Sequence, residues 1–355
     1  MFEAYQRGTS IEEVRRRFGG GRTIIKLASN ENPLGTSPKA LDALRAIESL
    51  NVYVDDAYLD VKERLGSRHA LGVENVVLGH GSNEIVKLVG ETFLTPGDEA
   101  VTALPTFTLY RLAIVIRGAV PVEVPLREGV TDLSAILAAI TPRTRVVYVC
   151  DPNNPTGTGV DRAAWDAFLK ALPSEIVLVV DQAYREYAPA EAVDAIADVR
   201  TRPRTVVLRT TSKIYGLAAL RFGYGFADDD TIGRLERVRL PFNVAAPALA
   251  GASAALDDDE FVRRSIAGNE AGKALMLPAL DALGLHVYPT RANFYAVAVP
   301  TSASRAYEDL LRMGIIVRSG DALRMPGRLR ITIGTEEQNR ALLAALEELL
   351  PQWRS

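Results

Sequence analysis

The stretch RVVYVCDPNNPTG, residues 145–157, joins a run of β-branched and aromatic residues to a cluster of Pro, Asn and Gly. Two similar apolar runs follow it, IVLVVD at 176–181 and TVVLRT at 205–210. Short β-branched runs bounded by turn residues are typical of strands that are buried on both faces. Helical patterns such as DRAAWDAFLKAL, residues 161–172, separate these runs. The alternation predicts an α/β fold in which helices flank a mostly parallel sheet.

The same alternation begins earlier in the chain and changes near residue 245. NVVLGHGSNEIVKLVGETFL, residues 75–94, predicts a strand, a glycine turn and a helix. After residue 245, a long helical region at 248–283 precedes three predicted strands: LHVYPT (285–290), NFYAVAVP (293–300) and RLRITIG (328–334). A final helix is predicted from Thr335, because Gln338 stands at the spacing of a capping box.

This change of pattern predicts that the chain has three parts. Residues 1–35 form an N-terminal arm that contributes to the small domain (the resemblance described below implies that it also contributes to a dimer), residues 36–245 form a large domain, and residues 246–355 form a smaller α+β domain.

Composition excludes several classes of protein. The net charge of −3 over 355 residues gives no reason to expect a nucleic acid or an anionic membrane as partner. A single cysteine, Cys150, excludes an internal disulfide framework, and no metal site is expected. The polar N-terminal segment lacks the apolar region of a signal peptide, and no apolar run is long enough to cross a membrane. We therefore expect a cytoplasmic protein.

Polar segments follow four of the predicted strands: GHGSNE (79–84), DPNNPTG (151–157), DQAY (181–184) and TSK (211–213). In open α/β sheets, ligands bind outside the carboxyl ends of the strands, so these segments are expected to converge on one site. Each segment also has an ordinary structural explanation when it is taken alone. GHGSNE is compatible with a capped turn, DPNNPTG with a tight turn and Lys213 with a solvated surface lysine.

Taken together, the segments supply the groups that a pyridoxal phosphate site requires. Gly81, Ser82 and Asn83 stand at a predicted helix N-terminus, where backbone N–H groups suit a phosphate. Asp181 is a candidate partner for a protonated ring nitrogen, and Lys213 carries an amine that could bond covalently to an aldehyde. Three further groups complete the candidate phosphate clamp: Thr210, Ser212 and Arg221. Asn154 offers a side-chain N–H donor.

Over nearly its whole length the sequence resembles the fold-type I pyridoxal-phosphate aminotransferases, and in particular the histidinol-phosphate aminotransferase family. The resemblance rests on several motifs in combination: LASNENPLG (27–35), GHGSNEIV (79–86), PTFTLY (105–110), DPNNPTG (151–157), DQAYREY (181–187), TTSKIYGLAALRFGY (210–224) and LRITIGT (329–335). It implies a homodimeric transaminase with a large domain and a smaller α+β domain.

The resemblance also implies roles for individual residues. Lys213 would hold the cofactor covalently and move the proton, Asp181 would pair with the ring nitrogen, and Tyr184 with Asn154 would bind the ring oxygen. Phe107 would stack on the ring, and the phosphate would be held by Gly81, Ser82, Asn83, Thr210, Ser212, Arg221 and the partner subunit's Tyr53. Arg330, Asn30 and Tyr5 would contact the substrate.

The substrate is less well defined than the reaction. The sequence departs from the family pattern at Gln182 and Ala219, and also in AYQRG (4–8) and NVYVDD (51–56), which touch the expected substrate entrance. Histidinol phosphate with 2-oxoglutarate, giving imidazole acetol phosphate and glutamate in histidine biosynthesis, is the leading expectation. An aromatic donor such as phenylalanine is the alternative, and a decarboxylase of a phosphorylated amino acid is a third. A nicotinamide dehydrogenase would need a glycine fingerprint that the sequence lacks.

Overall fold

The computed structural model describes residues 7–19 and 23–355. Its helices are α1 (Ile11–Phe18), α2 (Pro38–Arg45), α3 (Leu59–Ser67), α4 (Ser82–Phe93), α5 (Thr108–Val115), α6 (Leu133–Ala138), α7 (Arg162–Ala171), α8 (Asp229–Val238), α9 (Ala246–Leu256), α10 (Asp259–Ala282), α11 (Ala303–Arg312) and α12 (Glu336–Arg354). Its strands are β1 (Ile25–Lys26), β2 (Val76–His80), β3 (Glu99–Leu104), β4 (Val120–Pro125), β5 (Thr144–Cys150), β6 (Val177–Asp181), β7 (Thr205–Thr210), β8 (Phe222–Phe226), β9 (Phe294–Ala298), β10 (Ile315–Ile316), β11 (Arg318–Ser319) and β12 (Arg328–Thr332).

A seven-stranded sheet in the order β2-β8-β7-β6-β5-β3-β4 forms the centre of the molecule. Strand β8 runs antiparallel to both of its neighbours, and the remaining pairs are parallel. One apolar cluster packs α4, α5 and α8 on one side of the sheet, and another packs α2, α3, α6, α7 and α9 against it. The predicted α/β class, with a mostly parallel sheet flanked by helices, is confirmed. Because β2, β5, β6 and β7 all point the same way, their carboxyl ends share one edge.

The central sheet contains a strand that the sequence analysis did not predict. The segment at 222–226 alternates glycine with aromatic residues, and Gly is normally depleted in strands. Here the absence of a side chain is required, because a Cβ on Gly223 would lie 2.0 Å from the backbone nitrogen of Ser82. Strand β8 therefore approaches the start of α4 closely, next to the predicted phosphate site.

The C-terminal part differs from the prediction in two places. The helical region at 248–283 is two helices, because α10 begins afresh behind Asp258, whose side chain accepts from the backbone of Phe261. The predicted strand 285–290 is wrong, since only an isolated bridge pairs Val287 with Val297. Pro289, which has no N–H to donate, follows soon after this bridge. The predicted capping box at Thr335 and Gln338 is confirmed at the start of α12.

A second apolar core lies in this C-terminal part, where α10, α11 and α12 pack on the three-stranded sheet β11-β12-β9. The N-terminal segment belongs to this core, because β1 pairs in parallel with β10 and Leu27 is buried within it. None of the helices in the described ranges is long and apolar enough to cross a membrane.

Candidate active site

A cavity of about 260 Å³ opens at the shared carboxyl edge of β2, β5, β6 and β7. The sequence-predicted residues that line it are Asn30, Ser82, Asn83, Phe107, Asn154, Asp181, Tyr184, Thr210, Ser212, Lys213, Arg221 and Arg330. They come from the strand ends of the central sheet, from the N-terminal segment and from β12. The fold thus brings most of the predicted site residues into one enclosure.

Lys213 lies just beyond the end of β7, and its amine points into this cavity. Its Nζ donates to the backbone oxygen of Ser29 at 3.0 Å and lies 5.8 Å from the centre of the Tyr184 ring. Burial lowers the pKa of Lys213 to about 8, and the positive charges of Arg330 and Arg221 act in the same direction. An amine with this pKa is neutral in about a tenth of the molecules at pH 7, far more often than an ordinary lysine, and only the neutral form acts as a nucleophile or a base.

Asp181 is the last residue of β6 and is buried. Its Oδ2 accepts a hydrogen bond from the hydroxyl of Tyr110 at 2.7 Å, and its Oδ1 accepts from the backbone N–H of Ala183 at 3.1 Å. Burial raises the pKa of Asp181, whereas these two hydrogen bonds and the charge of Lys213 oppose the rise. A buried carboxylate in this setting is stabilised by a cationic partner.

Arg330, on β12, connects the C-terminal sheet with the loop that follows β5. Its Nη1 donates to Oδ1 of Asn154 at 2.6 Å, and its Nη2 donates to the backbone oxygen of Ala28 at 2.5 Å. Because the carbonyl of Asn154 accepts from Arg330, the amide NH₂ group of Asn154 remains as a donor for a ligand. Tyr184 is fixed in a similar way, since its hydroxyl accepts from Nδ2 of Asn30 at 3.0 Å.

The groups predicted to hold a phosphate form a connected set. The hydroxyls of Thr210 and Ser212 lie 2.9 Å apart, and Nη1 of Arg221 donates to Oγ of Ser212 at 3.3 Å. Gly81, the residue before α4, has a φ of 74°. The guanidinium of Arg221 approaches this residue closely, since a Cβ on Gly81 would lie 2.6 Å from its Nη2, while the positive φ is what favours glycine here. The cationic group thus lies beside the helix N-terminus that begins at Ser82.

Three more of the predicted residues are Phe107, Tyr53 and Tyr5. Phe107 lines the cavity, and its ring meets that of Tyr110 edge to face at 5.5 Å. Tyr53 lies apart from the cavity: it is 80% exposed and stacks on Phe242 with ring centres 4.4 Å apart. Tyr5 lies outside the described residues.

Sequence reasoning missed Arg318, which also lines the cavity. It stands on β11 directly opposite Arg330, its partner in the antiparallel register of β11 and β12. The segment that contains it, VRSG, has no distinctive composition, and only the pairing of the two strands brings it to the site. Two guanidinium groups at one cavity can bind an anionic group through their forks of donors.

These residues fit pyridoxal phosphate. A buried carboxylate suits a ring N–H⁺, an amine of lowered pKa suits the aldehyde, and a helix N-terminus beside Arg221 suits the phosphate. The donor set therefore matches the cofactor group by group.

The comparisons with known proteins agree with this geometry. The model of the family described as aminotransferase class I and II matches residues 22–346. The chain is 46% identical to the histidinol-phosphate aminotransferase of Moorella thermoacetica, over 98% of this chain and 90% of that protein. It is 43% identical to the histidinol-phosphate aminotransferase of Brevibacillus brevis, over 98% of this chain and 95% of that protein.

A solved structure gives the same result. The histidinol-phosphate aminotransferase from Sinorhizobium meliloti, crystallised in complex with pyridoxal-5'-phosphate, matches with a TM-score of 0.89 at 27% identity, covering 98% of this chain and 96% of that one. The fold, the donor set and these likenesses lead to one conclusion: the chain belongs to the class I and II aminotransferase family, in its histidinol-phosphate aminotransferase branch, and is a pyridoxal-phosphate-dependent aminotransferase.

Proposed function

We propose that this aminotransferase takes the amino group of histidinol phosphate and passes it to 2-oxoglutarate, giving imidazole acetol phosphate and glutamate in histidine biosynthesis. The observation that carries the proposal is the pair of arginines, Arg318 and Arg330, that face each other in register at the cavity. The phosphate of histidinol phosphate and the two carboxylates of 2-oxoglutarate both bring a double negative charge. Guanidinium groups bind phosphate and carboxylate through a fixed fork of donors, so one pair serves both substrates in turn.

Other groups of the site would hold the cofactor. Ser212, Thr210, Arg221 and the start of α4, with Gly81, Ser82 and Asn83, would bind its phosphate. Asp181 would bind its ring nitrogen, Asn154 and Tyr184 would bind its ring oxygen, and Phe107 would cover one face of the ring. When bound, pyridoxal phosphate acts as the electron sink for the carbon from which the proton is removed.

In this proposal Lys213 is the residue that holds the cofactor and then moves the proton. Its amine lies within the cavity and is held by the backbone oxygen of Ser29. Since burial, Arg330 and Arg221 lower its pKa to about 8, the neutral form needed to accept a proton is available without a separate base. Asn30 would steady the hydroxyl of Tyr184 and contact the substrate, and Tyr5 stays a prediction for the same role.

We also propose that the enzyme is a homodimer and that Tyr53 reaches the partner subunit's phosphate site. Exposed apolar side chains cluster around it: Leu50, Val52, Leu240 and Phe242. A shallow groove that includes Leu240 continues from this patch to Asn83 and Arg221 at the phosphate end of the cavity. Contiguous exposed apolar surface on a globular chain marks an interaction site. A second copy covering this patch would bury it and bring its Tyr53 to the phosphate donors.

We also propose that the chain is divided into the predicted arm (1–35), large domain (36–245) and small domain (246–355), because residues from the central sheet and from β12 both line the cavity. The cytoplasmic location remains a prediction from the sequence.

A visible absorption titration of the holoenzyme tests the choice of amino donor. Histidinol phosphate is added in one series and phenylalanine in another, and the band of the lysine-bound cofactor is followed as it disappears. We expect histidinol phosphate to bleach the band at far lower concentration, because only it offers a dianion to the two arginines. Preferential bleaching by phenylalanine would assign the enzyme to aromatic amino acids instead.

A further inference from the structure

Tyr110 lies on α5, one turn after Phe107, and its side chain is fully buried. Its hydroxyl donates to Oδ2 of Asp181 at 2.7 Å. We infer that Tyr110 is a positioning residue for the cofactor's ring nitrogen, and that it acts through Asp181 by fixing the carboxylate in place. The inference rests on the proposed role of Asp181 and goes beyond it, since Tyr110 itself does not line the cavity.

Packing leaves the Tyr110 hydroxyl little freedom. One face of its ring stacks on Tyr148, with ring centres 5.0 Å apart and planes 11° apart, while Phe107 meets the ring edge to face. The hydroxyl therefore holds one oxygen of Asp181 while the backbone N–H of Ala183 holds the other at 3.1 Å. With both oxygens held, the carboxylate presents a fixed orientation to the cavity. The Tyr110 ring also packs against Phe107. Asp181 and Phe107, the two residues predicted to contact the cofactor ring, are therefore both held by Tyr110.

The energetic consequence follows from burial. Burial raises the pKa of Asp181, and the hydrogen bond from Tyr110 is the largest of the interactions that lower this pKa again. A hydroxyl donor favours the ionised carboxylate, which is the form that binds a ring N–H⁺. Removing this donor weakens the grip on a basic ring nitrogen and leaves contacts to the rest of the cofactor untouched. A residue that only filled space would affect every part of the cofactor alike.

Tyr148 provides a matched control. It lies on β5, is as buried as Tyr110 and stacks on the same ring, yet within the described ranges its hydroxyl has no hydrogen-bond partner. Tyr148→Phe therefore removes an equally buried hydroxyl that holds nothing.

The test is equilibrium dialysis of the full-length variants Tyr110→Phe, Tyr148→Phe and Asp181→Asn against two probes. One probe is pyridoxal phosphate, and the other is its carbocyclic analogue, in which CH replaces the ring nitrogen. We expect Tyr110→Phe to weaken pyridoxal phosphate binding by about tenfold, with no change for the analogue. This is the low end of the effect of losing a hydrogen bond to a charged group, because Tyr110 acts through Asp181. Tyr148→Phe should change neither. In the Asp181→Asn background, adding Tyr110→Phe should not weaken the binding of either probe further. This comparison between two Asp181→Asn proteins does not depend on the single Tyr110→Phe variant.

The outcomes separate the inference from the proposed site. Equal weakening of both probes by Tyr110→Phe, or no weakening of either, overturns the positioning role. If Asp181→Asn binds both probes as tightly as the unaltered enzyme, then the proposed role of Asp181 fails, and this inference fails with it. Thermal unfolding of each cofactor-free variant checks that the fold has been kept.

Discussion

Arg318 offers the sharpest test of how the substrate is recognised, because nothing in the sequence marks it. The change Arg318→Met keeps most of the apolar stem and removes the guanidinium opposite Arg330. A hydrogen bond to a charged group contributes about 1.5–3 kcal/mol. Since each ~1.4 kcal/mol is tenfold, kcat/KM for histidinol phosphate should fall roughly 10- to 100-fold. Histidinol, which lacks the phosphate, should lose no more than about threefold, because it never used that contact.

The assay is the rate at which each donor bleaches the lysine-bound cofactor band in a rapid-mixing experiment. Arg318→Lys keeps the charge and loses the fork of donors. Its rate with histidinol phosphate should therefore lie between the rates of the unaltered enzyme and of Arg318→Met. Arg324→Met is the matched control, because Arg324 is exposed and bonds to Glu123 rather than lining the cavity. An equal loss for both donors in Arg318→Met, or a loss of similar size in Arg324→Met, would refute the reasoning.

Two further predictions concern charge and assembly. Arg330→Met should move the pKa of Lys213 from about 8 towards the ordinary lysine range, since it removes a positive charge that disfavours the protonated amine. The pH dependence of Lys213 labelling in the cofactor-free enzyme measures this: labelling rises as pH passes the pKa, and an unmoved midpoint would count against the argument. Tyr53→Ala should lower activity. Mixed dimers of one Tyr53→Ala subunit and one Lys213→Ala subunit should regain activity, because the Tyr53→Ala subunit keeps Lys213 and the partner's Tyr53 completes its site. If mixing restores no activity, then Tyr53 does not act in the site of the partner subunit.

Local sequence was sufficient for strands β5, β6 and β7 of the central sheet and for part of the candidate site. The runs at β5, β6 and β7 are β-branched and bounded by turn residues, so their burial and direction follow from pattern alone. Because parallel strands end at one edge, the polar residues after them had to meet, and Asp181, Asn154 and Lys213 line one cavity. Strand periodicity therefore predicted part of the site without any knowledge of side-chain contacts.

The residues that escaped prediction depend on distant pairing. Strand β8 has a glycine-rich sequence because Gly223 must pass close to the start of α4, a contact that strand propensity does not include. Arg318 enters the site only through the register of β11 with β12, and Tyr110 matters only because α5 packs beside the end of β6. Tyr53 is exposed on the single chain, and its proposed role depends on a second copy that one chain's sequence does not describe.

The proposed function depends most directly on Lys213 as the residue that holds the cofactor. Borohydride reduction of the holoenzyme, followed by proteolysis and mass spectrometry, locates the lysine that carries the reduced pyridoxyl group. We predict that the label lies on Lys213, and that Lys213→Ala takes up no label while keeping its fold. A label on another lysine, or an unchanged yield in Lys213→Ala, would contradict the account.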